Sequence, residues 1–239
     1  MPILIALLLF SGSVFASESI DVLEISENNV TLLSNIAKHP NLTVLTINCL
    51  ENLKELPDSI GKLRKLKELK IDNGNGCSMN PVIPDSIGDL TALEKLTLYG
   101  AQDPRGKGPQ PSARHSFPSA MSKLKKLVYL DLGRNALDEI PIFVKDLSHL
   151  KEFRFQWNMK LKSIPQFISN LRELTTLKLD SNGLEDLPDF LSTMPKLKFI
   201  SLGNNCKITQ SNTKMESLKK RFPNISFDFS DVYDCPSIQ

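Results

Sequence analysis

Histidine and paired reactive side chains are scarce in this chain of 239 residues. Its three histidines, His39, His115 and His149, stand in different segments, and none has a carboxylate at a spacing that makes a catalytic pair. The sequence has no nucleophile elbow, no phosphate-binding glycine loop, no HExxH and no CxxC, which are the patterns that mark such sites. We therefore predict that the chain is not an enzyme and has no catalytic residue, metal or cofactor.

An excess of charge of one sign is also lacking. The formal net charge is +2, which argues against a nucleic-acid-binding surface. The local exceptions are the basic runs KLRKLK (62–67) and KLKK (123–126). We interpret both runs as a solvated rim, because charged side chains are mostly exposed.

Long apolar runs are missing apart from one near the N-terminus. ILIALLLF (3–10) is too short to span a bilayer. It is followed by Val14 and Ala16 at small-residue cleavage positions, as in a secretory signal peptide. We predict a signal peptide at 1–16 and a secreted, cell-surface or periplasmic protein with no integral membrane segment after cleavage. An uncleaved apolar cap is the alternative, because the segment has no Lys or Arg.

A repeat runs through most of the chain. Six prolines stand at one phase of it: Pro57, Pro84, Pro118, Pro141, Pro165 and Pro188. The strand motif LxxLxL begins at Leu42, Leu66, Leu93, Leu127, Leu150, Leu174 and Leu197, with a basal interval of 23–24 residues. Repetition with this period indicates a solenoid of stacked coils.

Each position of the repeat has a physical reason. Alternating apolar residues form one face of a short strand, and the proline fixes φ at the start of the returning segment. Asp58–Ser59 and Asp85–Ser86 then follow as cap-like residues. One coil cannot bury its own apolar face, so stacking must do so.

The motif extends to LxxLxLxxN in LVYLDLGRN (127–135), LTTLKLDSN (174–182) and LKFISLGNN (197–205). With this pattern the chain resembles the leucine-rich-repeat superfamily over about residues 42–229. The resemblance implies that Asn135, Asn158, Asn182 and Asn205 point inward and form a hydrogen-bonded ladder. Leu50, Gly74 and Ala101 hold that position in the first three repeats, where we expect the ladder to be absent or remade.

The expected fold class is therefore an α/β repeat. It is a right-handed leucine-rich-repeat solenoid, a horseshoe arc with a concave parallel β-sheet and convex short helices or 3-10 turns. We assign 17–41 to an N-terminal cap, 42–205 to about seven leucine-rich repeats and 206–239 to a C-terminal cap. Two insertions, 72–82 and 100–116, interrupt the early repeats, and each is either a binding loop or a tolerated surface loop.

Four cysteines in an exported chain suggest disulfides. Cys206 follows the last ladder Asn and Cys235 lies near the C-terminus, so this pair would hold the terminal segment on the last coil. Cys49 and Cys77 lie in adjacent repeats and form a second candidate pair. Free thiols are the alternative.

The residues between the leucines face the concave side in parallel columns. Since neighbouring strands lie roughly 4.8 Å apart, repeats three to five bring five side chains of interface-prone types together. They are Tyr99, Tyr129, Arg134, Arg154 and an exposed Trp157, the one tryptophan of the chain. We predict a partner-binding site there; the alternatives are a Trp157 covered by the 100–116 insertion and Arg–aromatic stacking without a partner.

Two function classes follow. The repeat and the leader resemble the small secreted leucine-rich-repeat proteins of bacteria, notably pathogenic spirochaetes, and this implies a non-enzymatic module that binds host proteins or host cell surfaces. The alternative is an intracellular scaffold similar to the Ras-group repeat proteins. A glycan- or lipid-binding receptor is a less favoured third class.

Overall fold

The structure is a computed structural model and describes residues 21–48, 50, 53–72, 81–100, 117–230 and 235. In these ranges the chain forms one nine-stranded sheet in which every strand is parallel to its neighbours and the strand order follows the chain. The strands are β1 (Val22–Ile25), β2 (Val44–Asn48), β3 (Glu68–Asp72), β4 (Lys95–Tyr99), β5 (Tyr129–Asp131), β6 (Glu152–Arg154), β7 (Thr176–Lys178), β8 (Phe199–Ser201) and β9 (Ser226–Asp228).

Short 3-10 helices return the chain from strand to strand along the convex side as far as β8, and α-helices make the last connection, from β8 to β9. Within the described ranges the 3-10 helices are Glu27–Asn29, Ile36–Lys38, Asp58–Lys62, Asp85–Asp89, Ser119–Lys123, Ile142–Asp146, Gln166–Asn170 and Asp189–Thr193. The α-helices in the same part of the chain are α1 (Thr31–Ser34), α2 (Cys206–Thr209) and α3 (Asn212–Arg221). This is the solenoid that the repeat predicts, with β1 and β9 each adding one strand at an end of the sheet.

The strands stack in strict register, so each motif position forms a column across the sheet. Lys95, Tyr129 and Glu152 are successive partners in one column, and Thr97, Asp131 and Arg154 are partners in the next outward-facing one. The inward-facing positions between them are buried leucines, isoleucines and phenylalanines. Since the side-chain period of a strand is two, this register alone decides which residues reach the concave surface.

The asparagine ladder is present in the last four coils. Asn158 Oδ1 accepts hydrogen bonds from the backbone N–H groups of Asn135 and Leu137, both at 3.1 Å. Its Nδ2 donates to the carbonyls of Leu132 and Phe155, both at 3.1 Å. Each ladder amide therefore joins its own coil to the preceding one. Leu50, at the same position of the first repeat, is buried instead; Gly74 and Ala101 lie outside the described residues.

The convex side changes character along the chain. Two residues after the proline, the first three coils have Ser59, Ser86 and Ala120, and the next three have Phe143, Phe167 and Phe190. The early coils pack closely, since a Cβ on Gly61 would lie 2.6 Å from the Ser86 carbonyl oxygen.

Ser59 and Ser86 do not act as caps, contrary to the sequence expectation. Their hydroxyl oxygens are buried and have no hydrogen-bond partner within the described residues. The Cβ of Ser86 faces Gly61 of the preceding coil, 2.9 Å from where a Gly61 Cβ would lie, so the side chain serves close coil packing. A buried hydroxyl without a partner costs stability, and Ala120 avoids that cost in the next coil.

A cysteine pair at disulfide distance and two ion pairs hold the C-terminal end of the solenoid. The sulfurs of Cys206 and Cys235 lie 2.08 Å apart, which is disulfide distance. On α3, the Arg221 guanidinium contacts carboxylate oxygens of Asp186 at 2.8 Å and of Asp189 at 2.7 Å. Cys49 and Cys77 and the 100–116 insertion lie outside the described residues, and so does most of the 72–82 insertion.

Removing one rung of the ladder tests its contribution. Asn158→Ala leaves the buried N–H of Asn135 and the half-buried N–H of Leu137 without an acceptor, so we expect the free energy of unfolding to fall by roughly 3 kcal/mol. Chemical denaturation measures this change. Asn170→Ala, at an exposed position, is the control and should change stability by less than about 0.5 kcal/mol. Equal losses in the two variants contradict a structural role of the ladder.

Candidate functional site

The five predicted site residues lie on three neighbouring coils. Tyr99 ends β4, Tyr129 begins β5 and Arg154 ends β6. Arg134 and Trp157 lie in the turns that follow β5 and β6. The register of β4, β5 and β6 therefore brings the five positions to one region of the concave surface.

Arg154 and Tyr129 are in direct contact. The guanidinium carbon of Arg154 lies 5.2 Å from the centroid of the Tyr129 ring, within the range of a cation–π interaction. Arg154 Nε also donates to Glu152 Oε1 at 2.7 Å. The Arg154 side chain keeps 34% of its surface exposed. The guanidinium is thus fixed by a ring and a carboxylate while part of it still faces solvent.

A buried carboxylate lies beneath this pair. Asp131 is only 8% exposed, and its Oδ1 accepts from the backbone N–H of Gly133 at 2.8 Å. The Tyr129 hydroxyl is 3.4 Å from Asp131 Oδ2. The Tyr99 ring occupies the space that a side chain at position 133 would need, because two ring carbons lie 2.9 Å from where a Cβ on Gly133 would be. Tyr99 therefore packs onto the turn that follows the strand carrying Tyr129 and Asp131.

Burial changes the titration of this cluster. Desolvation by burial, and then the negative charge of Asp131, raise the pKa of Tyr129 to about 12. Desolvation also raises the pKa of Asp131, although the Gly133 hydrogen bond and the nearby Arg154 oppose that shift. Both directions follow from placing charge in a poorly solvated site.

Arg134 and Trp157 occupy the eighth position of their repeats, where the backbone is left-handed. Their φ angles are 58° and 62°, and the same position has φ 56° at Ser181 and at Asn204 and 66° at Gly100. Glycine and asparagine tolerate this conformation, whereas a larger side chain costs on the order of 1 kcal/mol. Trp157 and Arg134 therefore stand where backbone preference alone favours smaller residues.

Trp157 is partly buried rather than exposed. The repeat motif predicts that Trp157 continues the strand. In the structure β6 ends at Arg154, and Trp157 lies in the turn beyond it. Its backbone N–H donates to the Asp180 carbonyl at 3.0 Å. Register along the strand therefore does not fix how far this side chain is exposed.

Asp180 positions the turn that carries Trp157. Besides its backbone contact, its Oδ2 accepts from Gln156 Nε2 at 2.7 Å and from the Ser201 hydroxyl. Its Oδ1 accepts from the Gly203 N–H at 3.0 Å. One carboxylate thereby connects three successive coils at the edge of the candidate site.

Sequence reasoning missed Asp131 and Asp180 as organising residues. For Asp131 the available signal is the glycine two residues later, in DLG (131–133), since a glycine in an outward column marks a place where another group approaches the backbone. For the left-handed backbone at the eighth position, the available signal is that Gly100 and Asn204, two residues that tolerate it, occupy that position in other repeats.

Within the described part of the chain, no group of three or more His, Cys, Asp or Glu side chains could hold a metal ion. No helix in that part is long and apolar enough to cross a membrane.

The nine-stranded parallel sheet, the 3-10 returns and the asparagine ladder are those of a leucine-rich-repeat protein. No family model matches the chain. Among curated proteins, it is 30% identical over 136 residues to disease resistance protein RML1A and 30% identical over 148 residues to disease resistance protein RPP5, both of Arabidopsis thaliana. These alignments cover 57% and 62% of the chain but only 12% and 9% of the two plant proteins.

Solved structures with the same architecture include a leucine-rich-repeat protein of Leptospira interrogans, 25% identical with a TM-score of 0.55. That match covers 85% of this chain and 52% of the Leptospira chain. An internalin of Listeria monocytogenes is 20% identical with a TM-score of 0.51, covering 71% of this chain and 44% of its own. TLR13 in complex with ssRNA13 is 19% identical with a TM-score of 0.57. That match covers 82% of this chain and 28% of the TLR13 chain. The chain thus resembles only part of each of these proteins.

The buried Asp131 gives stability a testable pH dependence. The folded-state pKa of Asp131 is raised. Its contribution to the free energy of unfolding, relative to Asn, is therefore fully present below its unfolded pKa of about 4. That contribution to stability is lost as pH rises through the folded pKa. We therefore expect the stability difference between wild type and Asp131→Asn to shift in favour of the variant from pH 3.5 to pH 7. Denaturation at several pH values measures it, and a difference that moves the other way contradicts the raised pKa.

Proposed function

We propose that this chain is an exported, non-enzymatic interaction module that binds a protein partner through its concave face. The partner is an extracellular or host-cell-surface protein, and the contact centres on Tyr99, Tyr129, Arg134, Arg154 and Trp157. The observation that carries the proposal is the Arg154 guanidinium stacked 5.2 Å from the Tyr129 ring centroid while about a third of its side chain stays exposed.

Preorganisation supports this proposal. Tyr, Trp and Arg dominate the energetics of protein interfaces, and a side chain already held in place loses less entropy on binding. Glu152 and Tyr129 hold Arg154, and Asp180 holds the turn before Trp157. A solenoid also presents a long concave surface, which is how repeat proteins bind.

The left-handed backbone at Arg134 and Trp157 supports it as well. Ser181, Asn204 and Gly100 show that small residues fill the same position in other coils. A strained conformation retained for large side chains points to a role for those side chains. The proposed role is contact with the partner.

Export is supported by the apolar leader and by the cysteine pair. ILIALLLF (3–10) with Val14 and Ala16 has the form of a cleavable signal. Cys206 and Cys235 stand at disulfide distance, and structural disulfides persist mainly in oxidising compartments.

A double variant tests the binding surface without disturbing the fold. In Arg154→Ala with Trp157→Asn, the asparagine suits the left-handed backbone, as Asn204 does in a later coil. We expect the dissociation constant for a partner captured from cell-surface proteins to rise at least about 30-fold, the loss of a hot spot worth about 2 kcal/mol. Surface plasmon resonance on immobilised protein measures it.

The matched control lies one coil further on. Lys178→Ala with Ser181→Asn changes the same two positions of the next repeat and should leave the dissociation constant within about threefold. Thermal melting checks that both variants fold. Binding that survives in the first variant moves the interface to another face. An equal loss in both variants contradicts a contact centred on Arg154 and Trp157.

Export has its own test. We expect the protein recovered from the medium, the cell surface or the periplasm to begin at Ser17 when its N-terminus is sequenced by mass spectrometry. An intact N-terminus on protein confined to the cytoplasm sinks the export proposal and favours the intracellular scaffold. Binding at the concave face is decided separately.

A further inference from the structure

Six turns lie side by side along one rim of the solenoid. Each runs from the last residue of one of the six 3-10 helices between Asp58–Lys62 and Asp189–Thr193 to the strand after it. We call these turns the basic rim, and they are residues 62–67, 89–94, 123–128, 146–151, 170–175 and 193–198. The turns are in contact from coil to coil. Arg64 Nη1 donates to the Asp89 carbonyl oxygen at 2.6 Å, and His149 Nδ1 lies 2.9 Å from the Lys125 carbonyl oxygen.

Charge is concentrated on this rim. The six turns contain eleven Lys or Arg residues and four Asp or Glu residues. Their net charge is therefore +7 in a chain whose total is +2, which leaves the rest of the chain net negative. The near-neutral total conceals a strong segregation of charge, so it does not argue against an anionic ligand at this surface.

The acidic residues of the rim are all engaged in ion pairs. Arg64 pairs with Asp89 at 3.5 Å, Lys67 with Glu94 at 4.0 Å, Lys125 with Asp146 at 3.9 Å and Lys196 with Glu173 at 2.7 Å. The other seven basic residues are exposed and form no ion pair within the described ranges. They are Lys62, Lys65, Lys123, Lys126, Lys151, Arg172 and Lys198.

Helix capping explains only a small part of this pattern. Lys62 and Lys123 end 3-10 helices, where a cation offsets the helix dipole. The other five lie beyond the helices, in the turns themselves. The seven unpaired basic residues stand on five of the six stacked turns, and the exception is 89–94, which has no Lys or Arg. A chain-like polyanion lying along the rim would contact several of them.

The composition of the rim narrows the class of polyanion. The six turns contain no Phe, Tyr or Trp, whereas single-stranded nucleic acids are bound by stacking bases on such rings. Among the described residues, the large exposed apolar side chains are those of Val22, Val82, Ile142 and Met159. All four lie outside the rim, so the rim offers no apolar anchor for a bilayer. What it offers is a row of ammonium and guanidinium groups.

From this arrangement we infer that the basic rim is a second binding surface, for a linear sulfated polysaccharide. Sulfate groups along the chain would pair with the lysines and arginines that have no carboxylate partner. The surface is distinct from the concave site, so one molecule can bind a protein partner and a polyanion together. Binding of this kind is largely electrostatic and weakens steeply with salt.

Heparin is the probe that tests this inference. Neutralising four rim residues, as Lys62→Gln, Lys65→Gln, Lys123→Gln and Lys126→Gln, should weaken heparin binding at 150 mM salt at least about tenfold, because four charge contacts are lost. Isothermal titration calorimetry on the purified protein measures the change. The control removes four exposed lysines elsewhere, Lys54→Gln, Lys160→Gln, Lys162→Gln and Lys220→Gln, and should change affinity less than about threefold.

Each other outcome overturns the inference. Equal losses in the two quadruple variants mean that heparin senses only net charge. No binding by wild-type protein, or tighter binding to oligo(dT) or to phosphatidylserine vesicles than to heparin, excludes the sulfated polysaccharide. Arg154→Ala with Trp157→Asn should leave heparin affinity unchanged, so failure of the rim and failure of the concave site are separable.

Discussion

A leucine-rich coil of 23 or 24 residues cannot by itself bury its leucines or pair all of its backbone polar groups. The rest of the molecule depends on this constraint. The coil's leucines have only one face to pack on, and the turn after its strand leaves backbone groups that water cannot reach. Asn158 shows the solution, since its amide bonds backbone groups of its own coil and of the one before. Such bonds form only if neighbouring coils keep one register, so stacking, register and polar satisfaction arise together.

Register in turn creates the candidate binding surface. Asp131 and Arg154 are partners across β5 and β6, and Tyr129 stands two residues before Asp131 on the same strand. The contact between Arg154 and Tyr129, and the buried carboxylate beneath them, follow from those positions. At the eighth position the same stacking imposes a left-handed backbone on every coil from Gly100 to Asn204. The fold therefore supplies a strained site, and the sequence places Arg134 and Trp157 in it.

The distribution of charge differs between the sides of the solenoid, and the size of the convex side chains changes along its axis. Lysines gather on the rim where helices turn into strands, and small convex residues in early coils give way to phenylalanines later. Ser86 lies against Gly61 in a contact that a larger residue would obstruct. Repeats that share one backbone plan thus differ in the surfaces they present, and we base the two proposed binding surfaces on that difference.

The sequence by itself determined the repeat, its phase, the buried columns and the ladder asparagines, because these depend only on spacing and on side-chain polarity. It also brought the five site positions to three adjacent coils. It did not reveal the roles of Asp131 and Asp180, the partial burial of Trp157 or the unpaired hydroxyls of Ser59 and Ser86. Those depend on groups from neighbouring coils about 24 residues away, whose distances and desolvation are set only when the coils stack. For the same reason KLRKLK and KLKK read as separate solvated runs in one dimension, and only the stacked turns place them on one continuous rim.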